Sequence, residues 1–229
     1  MRNNTKKKEN GQGLVEYALI AALVGVIVIL ALSATGTSLK EAFCTVASGL
    51  AMEELCSDAV AMREDFADLS DWNISWGNWE IKDGQLHGSR WGGIFHNGFS
   101  GEDYTITIDV ANLTQGNGYG VFFRSQNPDN PEGYIFQYDP GYGSGAFLFR
   151  KWVDGHELSP LAVEYPSDFD WHGEERQVVI DVEGDTFTAY VDGEEVISAS
   201  DDTYQEGGIG LRVWDSTEAD FDDLTVTTP

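Results

Sequence analysis

Gln177-Val178-Val179-Ile180-Asp181-Val182-Glu183-Gly184-Asp185-Thr186-Phe187-Thr188-Ala189-Tyr190-Val191-Asp192-Gly193-Glu194-Glu195-Val196-Ile197-Ser198-Ala199-Ser200 is the stretch that decides the fold of most of this chain. Three runs rich in Val, Ile, Thr, Tyr and Phe are separated by Gly184-Asp185 and Asp192-Gly193. Such two-residue pairs supply the positive φ values that a tight hairpin turn requires. The runs 177–182, 186–191 and 194–200 are therefore expected to be consecutive antiparallel strands. The same grammar extends in both directions. Tyr104-Thr105-Ile106-Thr107-Ile108-Asp109-Val110 alternates with a period of two, Asp83-Gly84 marks another hairpin, and Ile209–Trp214 and Phe221–Val226 are further short strands. Ten or more short strands from about Phe66 onward, with no helical stretch between them, predict an antiparallel sandwich. No repeat of 20–50 residues is visible.

The first 60 residues are built differently. All seven Trp and all six Pro of the 229-residue chain lie beyond them. A basic leader containing Arg2, Lys6, Lys7 and Lys8 precedes Gly11, and an apolar run of 19 residues follows from Leu14 to Leu32 with Glu16 as its single charge. At about 1.5 Å per residue that run spans roughly 28 Å, the thickness of a bilayer core. The lysines predict that its N-terminal end stays cytoplasmic. A secretory signal peptide cleaved at Ala31-Leu32-Ser33 is the alternative, against which the length of the run and the carboxylate inside it both count. A carboxylate buried among packed apolar helices needs a cation, and a free α-amino group one turn away would be one.

The net charge is −26. Residues 1–11 carry +3, residues 12–60 carry −4, and residues 61–229 carry −25, from eight basic and 33 acidic side chains. An acidic balance of this size excludes nucleic acid as a partner, since a phosphate backbone is bound by basic patches.

The segment Lys6-Lys7-Lys8-Glu9-Asn10-Gly11-Gln12-Gly13-Leu14-Val15-Glu16-Tyr17-Ala18-Leu19-Ile20 resembles the prepilin signal of type IVb pilins of the Flp/Tad family. That pattern is a Gly, four residues, then Glu-Tyr opening a long apolar helix, and Gly11, Glu16 and Tyr17 match it in position. The resemblance implies processing by a prepilin peptidase between Gly11 and Gln12. It also implies an assembly role for Glu16 and Tyr17, with Glu16 neutralising a neighbouring N-terminus while the helix becomes the core of a homopolymeric filament. The implied partners are other copies of this chain, the prepilin peptidase, the pilus assembly machinery, and the inner membrane before assembly. The implied location is the cytoplasmic membrane as a prepilin, then an extracellular surface filament. The departure is size: Flp pilins are usually little more than the helix, whereas this chain continues for 169 residues past residue 60.

Cys44 and Cys56 stand 12 residues apart, about 18 Å along one straight helix, so a disulfide between them requires the chain to reverse, with Ser48-Gly49 as the expected point. Export to an oxidising compartment favours the bridge over two free thiols.

Beyond residue 60 the order of features resembles a concanavalin A-like lectin/glucanase domain. The matching landmarks are Asp65-Phe66 and Trp72, Trp79 to Leu86, Gly120-Val121-Phe122-Phe123-Arg124, Val191-Asp192-Gly193, Gly208 to Arg212 and Phe221-Asp222-Asp223-Leu224. The expected fold class is thus α + β: a long N-terminal hydrophobic helix followed by an all-β antiparallel jelly-roll sandwich. The expected divisions are a leader over 1–11, a pilin helix and connecting segment over 12–60, and the β-sandwich over 61–229.

A retaining glycosidase needs two carboxylates about 5 Å apart. The Glu-x-Asp-x-Glu-like strand of the glucanases does not occur here, and the alternating pairs Asp181/Glu183 and Asp220/Asp222 sit near strand ends. The expectation is no catalytic residues, no cofactor, and no enzyme activity. Asp139-Pro140-Gly141 and Asp201-Asp202 offer clustered oxygens to a hard cation, but no metal is assigned, and the four His show no ligand spacing. Sugars stack on aromatic rings and bond to a few convergent polar groups. Strand parity then nominates Arg124 (with Phe122), Arg150 with Trp152, Arg212 with Trp214, and Gln137 and Tyr138 from a neighbouring run as candidates for binding a glycan. The function expected is a pilin that displays a β-sandwich outward, with glycans as the candidate external partner. A membrane-tethered lectin-like module is the alternative.

Overall fold

The computed structural model describes residues 59–214 and 216–229. The expectations for the leader, the apolar helix, Gly11, Gln12, Glu16, Tyr17, Cys44 and Cys56 lie outside them. Among the described residues there is no helix, and hence none long and apolar enough to cross a membrane.

Thirteen antiparallel strands make the domain: β1 (Ala59–Glu64), β2 (Trp72–Lys82), β3 (Gln85–His96), β4 (Tyr104–Gln115), β5 (Tyr119–Gln126), β6 (Glu132–Asp139), β7 (Ala146–Val153), β8 (His156–Glu164), β9 (Glu175–Glu183), β10 (Thr186–Val191), β11 (Glu194–Ser200), β12 (Gly208–Val213) and β13 (Glu218–Thr228). Their order is β11-β10-β9-β4-β13-β3-β12-β5-β6-β7-β8, with β1 added beside β13 and β2 beside β3. The hairpins expected at Asp83-Gly84 and Asp192-Gly193 have positive φ at both residues, the signature of the turn whose twist suits two antiparallel strands. Asp154-Gly155 between β7 and β8 is a third of the same kind.

The sandwich arises because β3 belongs to two layers. Its first half pairs with β13, from Leu86 opposite Phe221 to Ser89 opposite Glu218. Its second half pairs with β12, from Gly92 opposite Val213 to Phe95 opposite Gly210. At the switch, Arg90 and Trp91 both have a φ of 57°. Two successive left-handed residues without glycine store strain of order 1 kcal/mol each, held here by the surrounding ladder. Gly77 of the facing strand (φ 81°) makes room: a Cβ there would lie 2.3 Å from the Cα of Gly92.

Alternation sorts the side chains of the second layer onto two faces. Val121 and Phe123 of β5, Tyr134 and Phe136 of β6, Phe147 and Phe149 of β7 and Leu211 of β12 face the main core, where they meet Ile106, Ile180, Phe187 and Leu224 of the first layer. The intervening residues Phe95, Phe122, Ile135 and Trp152 form a second buried cluster on the opposite face, with Trp76 packed against it. That smaller apolar patch is the floor of the candidate site.

Candidate functional site

On that opposite face one cross-strand row runs Arg212, Gly120, Gln137, Leu148 through β12, β5, β6 and β7. Gly120 carries no side chain, and the neighbouring Ile135 fills the space above it: a Cβ there would lie 2.5 Å from Ile135 Cδ1. Arg150 of β7 is two residues along the same face from Leu148. These polar groups converge on Glu157 at the sheet edge. Arg212 NH1 donates to Glu157 Oε2 at 2.5 Å, and Arg150 Nε lies 2.9 Å from Oε1 of the same carboxylate. Gln137 Nε2 donates to Glu157 Oε1 at 3.0 Å, Gln137 Oε1 accepts from Arg150 Nε at 2.9 Å, and Arg150 NH1 donates to the Leu158 carbonyl at 2.9 Å. Two guanidinium groups share one carboxylate, so the cluster is rich in donors.

Aromatic rings enclose it. The Arg212 guanidinium carbon lies 4.8 Å from the ring centres of both Trp152 and Trp214 and 5.2 Å from that of Trp91, while Arg150 lies 5.3 Å from the ring of Tyr142. A delocalised cation among ring faces is held without being neutralised. Arg212 is nevertheless 95% buried in relative terms, and its Nε and the Trp152 Nε1 find no acceptor among the described residues. Buried donors without partners are uncommon and mark positions where water or a ligand oxygen completes the bonding.

The rim is apolar and open. Five large hydrophobic side chains of the described residues are exposed: Val60, Ile74, Trp91, Leu158 and Tyr165. Two of the five border this network: Trp91 lies over the Arg212 guanidinium, and Tyr165 stacks on Tyr142. Trp91 is presented there by the left-handed pair at the β3 switch.

Asp139 at the end of β6 is buried beneath the loop that carries Tyr142. Burial pushes its carboxyl up to about 6, against the lowering effect of the Gly141 and Tyr142 backbone N–H groups and of the Arg150 charge.

The structure thus brings Gln137, Arg150, Trp152, Arg212 and Trp214 together, and sets Arg124 and Tyr138 elsewhere. Tyr138 neighbours Gln137 in sequence and so points the other way: it stacks on Tyr119 in the main core at 4.8 Å and donates to the Trp171 carbonyl. Parity along an unbroken strand would put Arg124 beside Phe122, but β5 carries a bulge between Phe123 and Gln126, and Arg124 itself has a φ of 45°. Its buried guanidinium donates to the carbonyls of Glu102, Gly184 and Tyr204 and ties three loops together. Trp91, Tyr142, Glu157 and Tyr165 belong to the site and were not anticipated. A glutamate among 33 acids carries no signal in sequence, and Trp91 reaches Arg212 only because of the strained switch.

Of the acidic pairs weighed for catalysis, Asp181 accepts from Thr105 and Asp220 from the ring of His87, both in the first layer. Glu64, Asp71 and His96 place ligand-type atoms within 4.8 Å of one another. They do not suit a cation. His96 Nδ1 accepts from the Gly98 N–H at 3.2 Å, so the ring proton sits on Nε2, where a metal would have to bind.

Two family models match different parts of the chain. Residues 63–227 match the family described as the 3-keto-alpha-glucoside-1,2-lyase-like domain, and residues 5–50 match the Flp/Fap pilin component. A levanase of Bacillus subtilis (strain 168) is 30% identical over 166 residues, which cover 69% of this chain and 23% of that protein. The chain therefore spans under a quarter of that relative. The carbohydrate-binding module CBM66 from Bacillus subtilis superposes with a TM-score of 0.60 at 29% identity, covering 69% of this chain and 96% of that one. A Bacillus licheniformis β-glucanase shares the fold alone, with a TM-score of 0.58 at 13% identity over 76% of this chain and all of that one.

Proposed function

The chain belongs to the 3-keto-alpha-glucoside-1,2-lyase-like domain family through residues 63–227, and from that premise we propose that it is a pilin whose β-sandwich binds a neutral glycan on the face of Arg212, Arg150, Gln137 and Glu157. The single observation that carries the glycan reading is the convergence on one face of a donor-rich polar network and two exposed aromatic rings, Trp91 and Tyr165. Sugars require this combination: rings for their C–H faces and fixed polar groups for their hydroxyls. The likeness to CBM66 and to part of a levanase supports it. Neutral sugars are favoured because a domain of charge −25 repels polyanions within a Debye length of about 8 Å.

The pilin reading rests on the match of residues 5–50. On this reading the prepilin sits in the cytoplasmic membrane, is cut between Gly11 and Gln12, and enters an extracellular filament in which Glu16 meets a neighbouring N-terminus. Loss of the +3 leader leaves −29 on each subunit, so neighbours repel, and added salt or divalent cations promote bundling. Intact mass of the exported chain tests the processing step. A chain starting at Gln12 supports it, and one starting at Ala34 overturns it in favour of a signal peptide. Binding of the full chain to levan tests the glycan reading. Adhesion is the use we assign to such a filament.

One observation favours a second reading, catalysis. Asp139, held near 6, lies close enough to Arg150 and Glu157 to feel both charges, and so resembles a general acid. Reducing-sugar release from levan that disappears in Asp139→Asn would establish it.

A further inference from the structure

We infer that Tyr142 and Tyr165 form a second sugar-binding position beside Arg150, so that the domain reads a run of several sugar residues rather than one ring. The inference rests on the glycan reading of the same face.

The Arg212 end of the network is crowded, with three Trp rings around one guanidinium. The Arg150 end is not. There a single ring, Tyr142, lies against the guanidinium, and beyond it Tyr165 stacks on Tyr142 with centroids 6.3 Å apart and planes 24° from parallel. Tyr165 is half exposed although it is a large ring, and it lies beside Gly143. A Cβ on Gly143 would come within 3.1 Å of the Tyr165 ring, and the φ of 62° there keeps the position to glycine in any case. The Tyr142 loop is braced by its backbone: the Gly141 N–H donates to the Asn117 carbonyl and the Tyr142 N–H to the Asp139 carbonyl. An exposed aromatic, Tyr165, backed by a ring on a braced loop and continuous with a donor-rich network, is a stacking platform. Tyr142 is itself covered by the Arg150 guanidinium and by Tyr165, so the ring that offers a sugar an open face is Tyr165. The occupant is therefore a neutral oligosaccharide laid from the Trp91 end across the guanidinium groups to Tyr165.

The test uses the full chain in a non-ionic detergent with levan-derived oligosaccharides of one to six residues. Tryptophan fluorescence reads binding, since every Trp lies in the β domain. Affinity is expected to rise with length up to about four residues. Tyr165→Ala should lower affinity for the longer oligomers about tenfold, leave the shortest unchanged, and Tyr165→Phe should restore it. Equal affinity for all lengths, with no effect of Tyr165→Ala, overturns the second position while leaving the glycan reading intact. No binding of any length by the unmodified chain overturns both.

Discussion

Arg124 and Arg212 are both buried arginines of the same sheet layer, and they do opposite things. Arg124 spends its guanidinium on backbone carbonyls of Glu102, Gly184 and Tyr204, with Asp103 alongside at 3.4 Å. It thereby joins three segments that are far apart in sequence. Arg212 bonds one carboxylate oxygen, lies among three rings, and keeps its Nε–H without a protein partner. A buried cation fully bonded to main chain is part of the scaffold. One that is caged by π faces and still has a donor to spare is available to a ligand. Burial alone does not separate the two, and the count of satisfied donors does.

The largest expected effect breaks the scaffold side. Arg124→Met should destabilise the β domain by about 3–5 kcal/mol, because several carbonyls lose their donor at once. Thermal unfolding followed by tryptophan fluorescence reads this in the full chain. The folded fraction should bind glycan normally, and a loss of affinity there would dissolve the distinction between the two arginines.

Next comes Asp139. Its carboxyl, raised to about 6 by burial, binds a proton more tightly folded than unfolded. The group therefore adds stability as pH falls from about 7 toward 4, by up to about 3 kcal/mol. Asp201 works against this only in stronger acid. Burial would raise its carboxyl, but the bonds from Lys151, Thr203 and Tyr134 outweigh that and hold it well below the usual range. Asp139→Asn should raise stability at pH 7 and flatten the pH 5–7 slope. An unchanged slope would remove Asp139 as its source.

A smaller effect sharpens the ligand side. Trp91→Gly releases the left-handed strain at the β3 switch and should stabilise the domain by about 1 kcal/mol while weakening glycan binding about tenfold. Stability and affinity moving in opposite directions is the outcome that identifies Trp91 as a binding residue. A parallel fall in both would make it a packing residue.

Much of the scaffold was legible in sequence. The strands expected over 186–191 and 194–200 have those bounds, because Gly184-Asp185 and Asp192-Gly193 leave the chain little choice. Asp154-Gly155 turns in the same way, but the flanking run His156–Glu164 contains Pro160 and lacks clean alternation, so its strand is not plain from residue types. The site was legible only where parity is unbroken. It groups Arg150 with Trp152 and Arg212 with Trp214, while a bulge removes Arg124 and simple alternation separates Tyr138 from Gln137. Glu157 was invisible because one acid among 33 has no distinguishing neighbour until the sheet edge brings it under two guanidinium groups. Trp91 was invisible because two consecutive left-handed residues are not written in residue type.

The most direct test of the account is native electrophoresis of the full chain in non-ionic detergent through a gel containing levan, unmodified and as Arg212→Ala. The unmodified chain should be retarded and Arg212→Ala should run as freely as in a gel without levan, its affinity reduced about a hundredfold, while its tryptophan fluorescence still reports a folded domain. Equal retardation of both would contradict the assignment of this face as the glycan site.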